Sequence, residues 1–258
     1  MSVGAFIIAR LNSSRLTEKN IRRIMGKPMI EMMVERVRAA KTVDNIVITT
    51  SSLSSDDQLE ELSKKLGIYC YRGSLENIMD RIVNAAKTYE CDTVVELLGD
   101  NPLVHSELID EVVNYYFKNK YDYAATATNE YPISGKKYLF PVGIRVQVYS
   151  VNAAEQYIKY PEYINNENKH PCSYIFEHPE SFNIGYFEAK DKWCFLNHPN
   201  LNFAVNYQEN FEMVRQIFEN CYLNKANFSM NDIMQTVDLN QDLKLLMGNK
   251  SIINNEIW

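Results

Sequence analysis

Short unbroken apolar runs alternate with amphipathic stretches along the first 120 residues. Val3-Gly4-Ala5-Phe6-Ile7-Ile8-Ala9 predicts a strand buried on both faces, the pattern of an inner parallel strand. Met29, Met32, Met33, Val37 and Ala40 recur at helical spacing behind Pro28, a residue that a first helical turn tolerates. Ile46 to Thr50 is strand-like through its β-branched residues, and the Ser- and Asp-rich turn Ser51 to Asp57 can cap a helix carrying Leu59, Leu62 and Leu66. Ile68 to Tyr71 predicts a third strand, Leu75 to Tyr89 a third helix, Asp92 to Leu98 a fourth strand and Ser106 to Lys118 a fourth helix. Connections this short permit only right-handed crossovers, so the pattern predicts an α/β fold with a doubly wound, mostly parallel sheet. Such sheets bind ligands beyond their strand C-termini.

Past Tyr121 the rhythm changes. Phe140 to Tyr149 alternates like an exposed or antiparallel strand, Phe182 to Glu188 and Leu201 to Val205 read as late strands, and helices are expected over Glu209 to Tyr222 and Met230 to Leu246. With no repeat and no linker in sight, one domain is expected over residues 1–258: a ligand-binding half, 1–125, and a substrate-facing portion, 126–258.

Composition narrows the classes. The chain is 46% apolar and 23% charged with a net charge of −6, which argues against a general nucleic-acid coat. No apolar run is long enough for a membrane span and Met1 is followed by no leader pattern, so a cytoplasmic protein is expected. The 5 cysteines are widely spaced and read as reduced thiols rather than a zinc or redox pair. None of the 9 glycines forms GxGxxG or GxxxxGKS.

Charge is unevenly placed. Residues 1–41 hold nine Lys or Arg against three Glu. Arg10, Arg15 and Lys19 fall in the loop after the first strand, beside the hydroxyls of Ser13 and Ser14, where guanidinium forks and an ammonium suit a polyphosphate. Arg22, Arg23, Arg36 and Arg38 read as solvated helix-surface cations. Asp100, after the fourth strand, is either a turn residue before Asn101-Pro102 or a magnesium ligand facing that loop. The aromatic stretch from Tyr115 to Tyr123 reads as core or dimer packing. His105, His178 and His198 read as surface or turn residues.

Ile7-Ile8-Ala9-Arg10 through Lys19, with Gly26-Lys27-Pro28-Met29, resembles the opening of the CTP-dependent sugar-acid cytidylyltransferases. Tyr71 to Ser74, Asp80-Arg81, Leu98 to Leu103, Phe140 to Ser150, His170 to Ile175 and Phe203 to Tyr207 follow in order, as in the spore-coat polysaccharide protein F branch. The resemblance implies a Rossmann-like nucleotidyltransferase that couples CTP to an anionic acceptor and releases pyrophosphate, with Mg2+ and commonly as a homodimer. On it, Arg10, Arg15 and Lys19 would hold the triphosphate. Ala9, Arg72 and Ser74 would line the cytidine, Asp80 and Arg81 would order that wall, and Asp100 with Asn206 would hold the metal.

This chain departs from the family at the site itself. Thr17-Glu18 stands where the family has Pro-Gly, Asn206 where it has an acid, and Arg145 and Gln147 where it has two more acids. Arg145 and Gln147 could grip a more anionic acceptor, a phosphate or phosphonate included, or Arg145 could form a surface salt bridge. His170 could contact the acceptor, carry a proton near neutral pH, or be a helix-capping or partly buried structural histidine. The same departures would suit a weakened, nucleotide-binding homologue acting as an assembly or regulatory subunit.

Overall fold

The opening apolar run forms β1, Val3–Ile8, every residue of which but Ile8 is buried. In the computed structural model residues 1–130, 135–158, 172, 174–175, 178–222 and 227–247 are described. A loop and a 3-10 turn, Lys19–Ile21, lead to a small antiparallel ribbon of β2 (Arg23–Ile24) and β3 (Lys27–Pro28), and then to α1, Met29–Val37. Three further strand–helix units follow: β4 (Asn45–Ser51) with α2 (Asp57–Leu66), β5 (Tyr69–Gly73) with α3 (Ile78–Thr88), and β6 (Thr93–Leu98) with α4 (Ser106–Asn119). Then come β7 (Tyr123–Thr126), β8 (Gln147–Ser150), α5 (Val151–Ile158), β9 (Ile184–Phe187), α6 (Gln208–Tyr222), α7 (Met230–Leu239) and α8 (Gln241–Leu246).

The strand order is β5-β4-β1-β6-β8-β7-β9. β1 pairs in parallel with β4 on one side and β6 on the other, and β8 runs antiparallel to both β6 and β7. The winding direction therefore reverses between β1 and β6, where an open sheet leaves a crevice beyond its strand ends. Large apolar cores cover both faces. Phe6, Val47 and Val94 face α3 and α5, while Ala5, Ile7, Val95 and Leu97 face α1, α4 and the C-terminal helices.

The late region differs from its sequence reading in three places. Leu201 to Val205 is extended but ladders with no strand: Val142 donates to Leu201 O, Phe203 donates to Val142 O, and Val205 donates to Asp100 O. Those bonds carry the segment across the end of the sheet. Gly143 permits the crossing, since at its φ of +87° an added Cβ would lie 2.2 Å from the Ala204 nitrogen. Of the predicted strand Phe140 to Tyr149, only the end enters the sheet, as β8. The last helix is two, because Asn240 ends α7 and then accepts the Asp242 N–H to cap α8.

Arg36, read as solvated, and His105, read as a surface or turn residue, are both buried. Arg36 donates to the carbonyls of Leu103, Val104 and Phe228 and stacks 4.1 Å from the Phe228 ring, tying α1 to the turn after Asp100 and to the C-terminal helices. Burial lowers its pKa to about 9. His105 caps α4 by accepting the Glu107 N–H. The thiols are in no disulfide, as expected, with Cys194 exposed.

Candidate active site

β1 and β6 end side by side, and Gly99 donates to Ile8 O across the seam. A side chain at residue 99 would press within 3.0 Å of Ile8 O and 2.8 Å of Asn20 Oδ1, so glycine lets the two strand ends and Asn20 close together. Asn20 lies buried across this seam, donating to Arg10 O, with its Oδ1 unpaired.

Lys19 and Asp100 meet at that point. The lysine Nζ lies 2.7 Å from Asp100 Oδ2 and 3.0 Å from Val205 O, and the two side chains are only 11% and 22% exposed. The Val205 N–H donates to Asp100 O, which places Asn206 one residue from the same spot. Three segments far apart in sequence therefore converge on one carboxylate. Oxygen donors of this kind, a carboxylate and an amide, suit Mg2+ completed by phosphate oxygens and water, and a lysine ammonium already accommodates positive charge there. Among the described residues no group of three or more His, Cys, Asp or Glu could hold a metal ion.

The cationic loop rises from this base. The Leu11 carbonyl accepts the N–H groups of Ser13 and Glu18, closing the loop at its neck. Arg10, Ser14 and Arg15 are exposed above it and Ser13 is half-buried. Glu18 occupies a left-handed conformation, φ 55°, at the position where the resemblance expects glycine. Ala9 is buried and donates to Thr49 O.

On the neighbouring wall, Ser74 O accepts from Arg81, and Asp80 opens α3 by donating its N–H to the Asn77 side chain. Arg81 is buried with its Nε unpaired. Burial, and after it the like charge of Arg10, pulls its pKa down to about 10 against the opposing influence of Asp56. Arg72, expected beside the cytidine, turns toward α2 instead: it sits 2.6 Å from Asp57 and 3.0 Å from Glu60 and donates to the carbonyls of Ser51 and Leu53.

Arg145 and Gln147 are fully buried beneath the site, which excludes the surface salt bridge. The guanidinium faces Glu96 at 3.9 Å and Glu130 at 3.5 Å. Gln147 lies opposite Glu96 in the β6–β8 register and donates to it at 2.7 Å, and the hydroxyl of Tyr149 donates to the other oxygen at 2.7 Å. Burial pushes both carboxyls up, with Arg145 pulling back on each, and Asp100 adds to the rise at Glu130. His170 lies outside the described residues.

Four residues of this arrangement escaped the sequence reading: Asn20, Asp56, Glu96 and Glu130. Glu96 carried a signal, an acid inside the apolar run Val94-Val95-Glu96-Leu97-Leu98. Asp56 was hidden in a turn whose Ser and Asp residues suit any helix start.

The pattern of the cytidylyltransferase family matches residues 5–252. The spore coat polysaccharide biosynthesis protein SpsF of Bacillus subtilis is 27% identical over 242 residues, 92% of this chain and 95% of that protein. A 3-deoxy-manno-octulosonate cytidylyltransferase of Pelobacter propionicus is 34% identical over 115 residues, 44% of each chain. The solved structure of a cytidylyltransferase from Leptospira borgpetersenii superposes with a TM-score of 0.81 at 24% identity, covering 98% of this chain and all of that one. With the family pattern spanning nearly its whole length, the chain belongs to the cytidylyltransferases, nucleotidyltransferases that use CTP.

Proposed function

We propose that the protein transfers CMP from CTP to a hydroxyl of a small anionic acceptor, a sugar acid or a related phosphate or phosphonate, with Mg2+ and release of pyrophosphate, in the making of a surface polysaccharide. The observation that carries this reading is the meeting of Lys19 and Asp100 where the sheet reverses, beneath the loop of Arg10 and Arg15. The acceptor oxygen forms a bond to the α-phosphorus while the bond to the β-phosphate bridging oxygen breaks, and the hydroxyl proton passes to water. Such a displacement needs alignment and charge neutralisation more than a covalent nucleophile. Arg10, Arg15 and the hydroxyls of Ser13 and Ser14 bind the triphosphate. Lys19 leaves Asp100 for the phosphates as the nucleotide arrives, and its cation stabilises the departing pyrophosphate. Asp100 and the Asn206 amide would hold Mg2+, which when bound neutralises phosphate charge. Ala9, Ser74, Asp80 and Arg81 form the nucleoside side of the crevice, and Arg72 holds that wall through α2. Arg145 and Gln147 support the acceptor side from below.

Pyrophosphate release from CTP and Mg2+, measured with a panel of sugar acids, sugar phosphates and phosphonates, tests the proposal: turnover with at least one of them is expected. The uncharged Asn206 favours a second reading, a nucleotide-binding subunit of little activity. Tight CTP binding without turnover on any acceptor would select it. Two copies of the chain are proposed to pair, which sedimentation would check.

Glu18→Gly is expected to tighten pyrophosphate binding several-fold, because it removes a carboxylate from the cationic loop. Stability should stay level or rise by up to about 1 kcal/mol through relief of the left-handed backbone. Titration calorimetry and urea unfolding check the two effects, and unchanged pyrophosphate affinity would mean the carboxylate lies outside the phosphate path.

A further inference from the structure

Asp56 is 1% exposed and its carboxylate joins two loops. Oδ1 accepts the Leu11 N–H at 2.8 Å. Oδ2 accepts the Thr50 hydroxyl at 2.9 Å, the Ser51 N–H at 3.2 Å and the Ser51 hydroxyl. Leu11 is the neck of the cationic loop: its carbonyl gathers the N–H groups of Ser13 and Glu18, and its own N–H is held by Asp56. The loop that presents Arg10 and Arg15 is therefore pinned at one residue, through both of its backbone groups, and one pin comes from the turn after β4. Asp56 also offsets charge on Arg81, a buried guanidinium that Arg10 opposes. Burial alone would raise the Asp56 pKa. The Leu11 N–H, the two hydroxyls and the Ser51 N–H outweigh it and hold the pKa below the ordinary value, so the group is an anion at neutral pH.

We propose that Asp56 is a positioning residue for the triphosphate: by fixing the Leu11 peptide it sets where Arg10 and Arg15 stand, and its charge allows two guanidinium groups to wait together for a polyanion. It touches no phosphate and acts through the loop. The proposal rests on reading that loop as the triphosphate cradle. Its consequence is selective, because a residue that shapes the cradle matters to ligands carrying β- and γ-phosphates and little to those without them.

The test is titration calorimetry on the full chain with CTP, pyrophosphate and CMP. The variants are Asp56→Ala and Asp56→Asn, with Asp110→Ala as a control. Asp110 is a fair control because its carboxylate likewise holds loop N–H groups, those of Lys41 and Thr42, at the far end of the sheet. Losing a hydrogen bond from a charged group, Asp56→Ala should weaken CTP and pyrophosphate binding about 10-fold or more. CMP binding should move less than about two-fold, since the hydrogen bonds of Asp56 go to the cationic loop and to β4 and none to the nucleoside side. Asp56→Asn keeps an oxygen for the Leu11 N–H but not the charge, so it should recover only part of the loss for CTP, while Asp110→Ala loses stability and keeps its CTP affinity. A folded Asp56→Ala with parental CTP affinity overturns the proposal, and so does an equal loss for CTP and CMP, which would make Asp56 a general scaffold. If Asp56→Ala does not fold, Asp56→Asn decides on the same ratio: a loss for CTP exceeding that for CMP supports the proposal, and equal losses or none overturn it. A parent protein that binds no nucleoside triphosphate overturns the cytidylyl reading and this inference with it. With a parent that binds CTP, the ratio of CTP to CMP losses bears on Asp56 alone.

Discussion

Asp100→Asn is expected to lower turnover on the order of 100-fold, about 2.7 kcal/mol in the barrier, while the folded protein still binds CTP. The substitution keeps the shape of the side chain and removes its charge, the only formal charge in the Asp100 and Asn206 pair. On the proposed function, a Mg2+ held mostly by the nucleotide would then lose its one anionic protein ligand. The change also leaves the Lys19 ammonium, 11% exposed, beside an amide and the Val205 carbonyl. That should cost about 1–2 kcal/mol of stability, which urea unfolding would register separately. Turnover within two-fold of the parent across a Mg2+ titration would remove Asp100 from the reaction.

Arg145→Met should be strongly destabilising. It takes away a buried cation that Glu96 and Glu130 both face, and breaking a buried ion pair in this one-sided way costs about 3–5 kcal/mol. The loss should depend on pH. Burial already raises both carboxyl pKa values above those of the unfolded chain, against the pull of Arg145, so between the unfolded and folded values the native state holds the extra protons. Stability contributed by such groups falls as pH rises through that window and recovers as pH is lowered toward the unfolded value, roughly 4. Without Arg145 the window widens upward. The variant should thus be closest to the parent at about pH 5 and furthest from it at about pH 8. Urea midpoints at both pH values check this. A pH-independent deficit would show that the cation packs the core without neutralising the two acids.

The alternation of buried runs and amphipathic helices made the first four strands legible, because each inner parallel strand must be apolar on both faces. The convergence of Lys19 and Asp100 was also legible. It follows from loop positions on such a sheet and needs no knowledge of side-chain direction. The crossing at Leu201 to Val205 was not, since a segment that bonds in turn to residues 142 and 100 has the same local pattern as a strand. Nor were the burial of Arg36 and the direction of Arg72. Both depend on which carbonyls and carboxylates lie within reach, and those belong to other elements. Glu96 was available as an acid in an apolar strand, but its partners Arg145, Gln147 and Tyr149 come from some 50 residues downstream.

Arg36 has a consequence for how the molecule is completed on the ribosome. Its guanidinium emerges early, but the Phe228 carbonyl it requires lies 192 residues later. Until then the cation stays hydrated and the turn that follows Asp100 lacks its brace. The half that carries the cationic loop therefore cannot mature by itself as it is synthesised: the segment bearing Phe228 must arrive and lock it, so a product terminated before that point would carry Arg10, Arg15 and Lys19 and still be unfinished.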